Sequence, residues 1–313
     1  MSQQIYQLVT DRVLALLQQG VVPWKRPWKT AGGPVLPPSN LLSRRPYRGI
    51  NVFLLIAQGF ASPYWLTFKQ AQMRGGHVRR GERGTPIVFW RIDQHTEDSE
   101  EEESAAEHRR ILLRYYTVFN VEQCEGIDLP GAEPVEDGTA FDPIPACEAI
   151  YGNMPHPPEL RHGGERAFYR RSTDLVQLPR PEAFSRPENY YSTQFHELAH
   201  STGHPSRLNR FAEEDNPGIF GSPAYAREEL VAEMTAAMMC GVLGIAPVKV
   251  EAISSNGDEE LLESSAAYLR HWMDVLEADS RAVVIAAARA QKAADYILGH
   301  QTQKEVLDQV EAA

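Results

Sequence analysis

The run His196-Glu197-Leu198-Ala199-His200 sets two imidazoles four residues apart, with a carboxylate beside the first. In a helix, positions i and i+4 lie one turn apart on one face, so both rings can reach one cation. Glu197 falls ~100° around the helix from His196, placed to take a proton rather than to ligate. A chain of this composition would contain the pattern by chance about 0.03 times, so it counts as a signal. A catalytic zinc commonly has three protein ligands and an open position, and the third must come from elsewhere. Glu228-Glu229-Leu230-Val231-Ala232-Glu233 supplies candidates, because Glu229 and Glu233 share a helix face. Glu229 is assigned as the ligand and Glu233 as an acceptor that orients a ligating histidine. Glu228 stands as a one-residue alternative ligand.

The chemistry these residues predict is metal-assisted hydrolysis of an amide. The cation lowers the pKa of its water towards ~7 and polarises the carbonyl. Glu197 acts as general base and returns the proton to the leaving amine. Tyr190, Tyr191, Tyr225 and His204 are equal candidates for an additional oxyanion donor. One divalent ion is expected, with zinc the first choice; two histidines and a carboxylate also accept manganese. A peptide substrate is expected to lie along an exposed strand from the 167–178 region.

A second chemistry lies at the other end of the chain. Residues 1–92 hold 3 Lys and 10 Arg against Asp11 and Glu82, a net +11, so the remainder carries −22 of the total −11. Four of the five tryptophans (Trp24, Trp28, Trp65, Trp90) lie in the cationic part. Cations neutralise phosphates without regard to sequence, and aromatic faces stack on unpaired bases. Single-stranded DNA is therefore the expected partner, with Trp24, Lys25, Arg26, Trp28, Arg44, Arg45, Arg48, Lys69, Arg79 and Arg80 as the candidate contacts. Arg74 and Arg83 add further charge. Phe53, Phe60, Phe89 and Trp90 lie in apolar runs and are expected in the core.

The elements that must position these groups follow from periodicity. Ile5, Leu8, Val9, Val13, Leu16 and Leu17 make a helix over 3–19 that Gly20 stops. Helices are predicted over 49–60 and 64–73, and paired strands over 85–92 and 112–121. The acidic stretch between those strands, including 97–107, reads as a solvated loop. Residues 126–143 have a linker's composition. Beyond it come a helix near 144–151 and two short strands within 167–179. A helix over 187–202 is capped by Ser185 and stopped by Gly203. Ser222 caps a further helix over 223–242, and helices over 259–277 and 280–298 close the chain. The fold class is α+β. A mixed α/β domain (1–127), a linker (128–143) and a mostly helical domain with a small sheet (144–313) are expected as separate bodies.

At 313 residues, 42% hydrophobic and 23% charged, the composition is that of a globular protein, with no apolar run long enough to span a membrane. Cys124, Cys147 and Cys240 are too few and too widely spaced for a disulfide framework, and the N-terminus lacks the pattern of a secretory signal. A cytoplasmic location is expected.

With those residues in view, the sequence resembles the ArdC family of plasmid antirestriction proteins over nearly its whole length. In the N-terminal part the resemblance rests on VPWKRPW, Tyr47–Asn51, Tyr64–Ala71 and Val118–Ile127; in the C-terminal part, on Tyr190–His204, Ala226–Met234, AAYLRHW and AQKAADYIL. It implies a single-strand-DNA-binding domain, akin to that of TraC-type primases, followed by a zincin-like metallopeptidase domain of the gluzincin type. It also implies His196, His200 and Glu229 as ligands, Glu197 as base, and a role in conjugation, protecting incoming plasmid DNA from host restriction. The leading expectation, which joins the two halves, is action on DNA-bound proteins of the host restriction system. Two other functions compete with that one: a DNA-dependent metalloprotease that clears protein adducts, and a non-catalytic DNA-coating protein with a structural metal.

Overall fold

The computed structural model describes residues 2–19, 21–24, 37–93, 110–127, 144–184, 186–213, 222–245 and 270–300. The first helix, α1 (Ser2–Gln18), buries Ile5, Val9, Val13 and Leu17, a strict i, i+4 stripe. Its Thr10 hydroxyl donates to the carbonyl of Ser280 at 2.7 Å, which ties the helix to the far end of the chain.

Next come β1 (Ser39–Asn40), α2 (Ile50–Ile56), β2 (Tyr64–Leu66), α3 (Phe68–Met73), β3 (His77–Val78), β4 (Thr85–Asp93), β5 (Arg110–Asn120) and β6 (Cys124–Glu125). The main sheet has the order β1-β2-β5-β4, and β3 pairs with β6. The hairpin predicted from the two β-rich runs is present, Ile87 lying opposite Tyr116 and Phe89 opposite Arg114. The single helix predicted over 64–73 is instead a strand followed by a helix. Thr67 and Gln70 form a reciprocal capping box that fixes the helix start at Phe68, leaving Trp65 and Leu66 to pair with Asn120 and Phe119. At the free edge of β4, the Asn51 side chain accepts from the Val88 N–H and donates to its carbonyl, both at 2.7 Å.

The C-terminal part begins with α4 (Pro145–Asn153), followed by β7 (Glu159–His162), β8 (Phe168–Arg170) and β9 (Leu175–Leu178). In this sheet β9 is central, parallel to β7 and antiparallel to β8. The two strands predicted within 167–179 are β8 and β9. Strand β7 carries no alternation to announce it: three of its four residues are exposed. Helix α5 (Pro187–Ser201) starts from Arg186, which makes no side-chain cap; Ser185 lies outside the described residues. Its C-cap is Thr202 in a right-handed conformation, so Gly203 is not needed as a left-handed stop. Helix α6 (Pro223–Leu243) has Ser222 as N-cap and left-handed Gly244 as C-cap. Residues 270–278 are helical (α7), and α8 (Ala282–Ile297) buries Ala286, Ala287, Ala290, Ala293 and Ala294, small side chains that let it lie close against α6. The acidic loop 97–107, the linker 128–143 and the first part of the helix expected over 259–277 (259–269) lie outside the described residues.

The two halves pack against each other through a shared core. One apolar cluster runs from Ile5, Val9, Phe53 and Leu54 through Trp272, Val283 and Ala287 to Leu198 and Leu230. Trp24 belongs to it: it is 4% exposed and meets Trp272 edge-on at 5.4 Å and Phe53 at 6.3 Å. This corrects its assignment as a base-stacking residue, since an indole buried on all sides has no free face. Arg48 also joins the halves, through an ion pair to Asp295 on α8. Among the described residues no helix is long and apolar enough to cross a membrane. Replacing Trp24 by Ala is expected to cost about 3–5 kcal/mol of stability in chemical denaturation, because the cavity opens between the halves.

Candidate metal centre

The 3.6-residue period of α5 stacks His196 and His200 on the face turned to α6, and their Nε2 atoms lie 3.1 Å apart. From α6, Glu229 brings one carboxylate oxygen to 3.5 Å from His196 Nε2 and the other to 3.5 Å from His200 Nε2. These donors gather within 4.8 Å of one another. Ligand atoms ~2.1 Å from a common tetrahedral centre are about 3.4 Å apart, so the residues fit a single divalent ion. The three predicted ligands are thus brought together, with side-chain exposures of 21%, 14% and 13%.

The neighbouring glutamate has a different task. Glu228 accepts from His200 Nδ1 at 3.0 Å, which leaves Nε2 as the coordinating atom. Its carboxylate is buried and held by Arg210, whose Nε donates to it at 3.0 Å. Arg210 also donates to the carbonyl of Ala199 at 2.7 Å and to the Thr202 hydroxyl. Glu228 is therefore the support of His200 and not the alternative ligand. Glu233, assigned that supporting role from the sequence, acts on His196 through its charge. Nothing in the spacing announced Arg210: it is brought back by the turn after α5. There Gly203 has no side chain, and a Cβ in its place would meet the Phe211 ring at 2.5 Å.

The charges around the site oppose its burial. Burial disfavours charge on His196, but its hydrogen bond to Glu229 and the charges of Glu233 and Glu197 outweigh this and raise its pKa to about 9. His200 is raised also, by Glu229 and Glu228 against burial. The two Nε2 atoms, 3.1 Å apart, cannot both carry a proton. Glu229 is lowered to about 2, the imidazoles overcoming burial, and Glu228 is lowered chiefly by Arg210. Glu197 goes the other way. It is 7% exposed, and burial raises its pKa although both histidines and the Tyr169 backbone N–H favour its charged form. That N–H comes from β8, an edge strand, so the edge turns a donor toward the site.

The four oxyanion candidates separate. Tyr190 is bonded to His162 at 2.8 Å, and Tyr191 to Glu148 and the Ile144 N–H. His204 is turned to Ser206. Tyr225 donates to Glu229 and so stands at the ligand set. Among the candidate DNA contacts, Arg45, Lys69 and Arg80 are exposed, Arg44 lies over the Tyr64 ring at 4.9 Å, and Arg79 pairs with Glu82 at 2.7 Å. Lys25, Arg26 and Trp28 lie outside the described residues.

Comparison with known proteins meets this arrangement from outside. Residues 3–119 match the profile of the N-terminal domain of anti-restriction factor ArdC, and residues 148–289 match that of a zincin-like metallopeptidase. The crystal structure of antirestriction ArdC from the R388 plasmid, in its metal-free form, is 34% identical with a TM-score of 0.72, covering 94% of this chain and 97% of that one. The chain belongs to the ArdC antirestriction family. The Mn(II)-bound structure of the same R388 protein is 33% identical with a TM-score of 0.69, again over 94% and 97% of the two chains. Protein y4eC of Sinorhizobium fredii is 34% identical over 96% of this chain and 94% of its own length. DNA primase TraC of Escherichia coli is 35% identical over 97% of this chain, which spans only 28% of the primase.

Two outcomes follow from the site. Arg210→Met leaves a buried carboxylate uncompensated and should cost about 3–5 kcal/mol of stability and weaken metal affinity about 10–100-fold, read by denaturation and by competition with a chelator. Because His196 holds its proton up to about pH 9 and coordination requires a neutral imidazole, metal uptake at pH 7 should release a proton and tighten as pH rises. Calorimetric titration in buffers of different ionisation enthalpy checks the release.

Proposed function

We propose that this protein binds single-stranded DNA through its N-terminal half and hydrolyses DNA-bound proteins of a host restriction system at the metal centre, protecting plasmid DNA that enters by conjugation. The observation that carries the enzymatic part is Glu197. It is not a ligand, yet it is buried beside the ligands at a cost that a purely structural metal site would have no reason to bear. Its raised pKa brings it nearer the range in which a carboxylate exchanges protons efficiently.

A bound divalent metal, zinc in the first instance and manganese by analogy with the R388 protein, would supply Lewis-acid polarisation of the scissile carbonyl and an acidified water. The chain's own residues do the rest. Glu197 takes the proton of the attacking water and delivers it to the leaving amine. The free edge of β8 aligns an extended peptide through main-chain hydrogen bonds. Glu228 and Arg210 hold His200 in one tautomer and orientation. Tyr225, the candidate beside Glu229, is poised to support the developing oxyanion. Support for the nucleic-acid half comes from the cationic residues 1–92 and from kinship with a DNA primase. Three free thiols accord with a cytoplasmic setting.

Glu197→Gln keeps all three ligands. It should retain one metal per chain by elemental analysis and lose about 10²–10⁴-fold in cleavage of a DNA-bound protein substrate. Full activity in that variant would leave the metal a structural role alone.

A further inference from the structure

Four aromatic side chains are exposed among the described residues: Phe68, Phe89, Tyr115 and Tyr116, at 51%, 44%, 56% and 48%. All four belong to the β4–β5 hairpin or to α3 beside it. Phe89 was expected in the core from its apolar run; the core stops one pair short of it. On that face Thr85, Ile87 and Val118 are buried, while Phe89, Tyr116 and Arg114 project beyond the packed part of the sheet. The rings of Phe89 and Tyr116 meet edge-on at 5.7 Å, and Arg114 lies directly across from Phe89. On the opposite face β5 presents Tyr115, Thr117 and Phe119, and Phe68 touches Phe119 at 6.4 Å. Gly84 backs this row: a Cβ there would meet Thr117 at 2.3 Å and the Phe119 ring at 2.9 Å, so bare backbone lets the two side chains lie down against the strand.

We propose that this hairpin is the base-stacking surface, and that its occupant is a single-stranded polynucleotide. The inference rests on the single-strand reading above and names the residues that perform it in place of Trp24. Four half-exposed aromatic rings cost solvation beyond the contacts they make with each other and with Phe119, and unpaired bases are partners that an exposed ring face accepts. Charge selects the same occupant. Lys69, Arg80, Arg83 and Arg114 are exposed and make no ion pair among the described residues, and residues 1–92, which hold the first three, carry a net +11; the acidic run that joins β4 to β5 lies outside the described residues. A polyanion carrying planar rings satisfies both features, whereas duplex bases are already stacked on each other.

The test uses full-length protein and a fluorescein-labelled 20-nucleotide oligothymidylate at fixed salt, read by anisotropy. The native protein should bind. Phe89→Ala, Tyr115→Ala and Tyr116→Ala should each weaken binding about tenfold, and the triple variant should lose more than a hundredfold with an unchanged melting temperature. Tyr116→Phe keeps the ring and should keep the affinity. The slope of affinity against salt should persist in the single variants, because no phosphate contact is removed. Native binding with an unaffected triple variant overturns the assignment of this surface while leaving single-strand binding intact; absence of native binding defeats the reading on which it rests. Conversion of a native dimer to a monomer by the triple variant, seen by light scattering, would mark the surface as a protein interface and overturn the proposal.

Discussion

The carboxylate that orients one of the metal-binding histidines is buried, and Arg210 compensates its charge. Its guanidinium clamps Glu228, Glu228 fixes the tautomer of His200, and Nε2 of His200 is thereby left to face Glu229 and His196. The same side chain reaches the last turn of α5 through Ala199 and Thr202. One cation thus registers α5, α6 and the turn between them. Isolated buried ion pairs give little net stability, but a chain of them that ends on a ligand confers a single geometry on groups that would otherwise repel or wander.

That geometry is set inside a core that does not respect the boundary between the halves. The helices that carry the metal ligands pack on α8, and α8 packs in turn on α1 and α2. The β4–β5 hairpin and the metal centre are consequently parts of one packed unit, and their relative placement is a property of the fold.

The sequence made the metal site legible because its information is local. Two imidazoles at i and i+4 share a face wherever the helix forms, and the helix is written in the flanking apolar residues. The choice between Glu228 and Glu229 was less accessible. Adjacent residues point about 100° apart, so the phase of α6 relative to α5 decides which reaches the rings, and that phase comes from packing. Arg210 was invisible for the same reason, since its position depends on a turn closed by the bare backbone of Gly203 against Phe211. Trp24 is buried and Phe89 exposed, the reverse of expectation, because polarity of the neighbours was the only guide. Trp24 sits among Lys and Pro yet plugs the seam with Trp272, whereas Phe89 sits among apolar residues on a strand that outruns its core. Strand β7 was missed because exposed polar residues on a sheet edge carry no period.

The seam that Trp24 fills also governs how the molecule would come apart. Interfaces within a chain are often loose enough to open independently, but a continuous apolar core couples both sides into one cooperative unit. A proteolytic nick between residues 127 and 144 would therefore sever the polypeptide without parting its products, which would stay together as a non-covalent pair. Amide hydrogens in α1 and in α8 would then exchange through the same global opening.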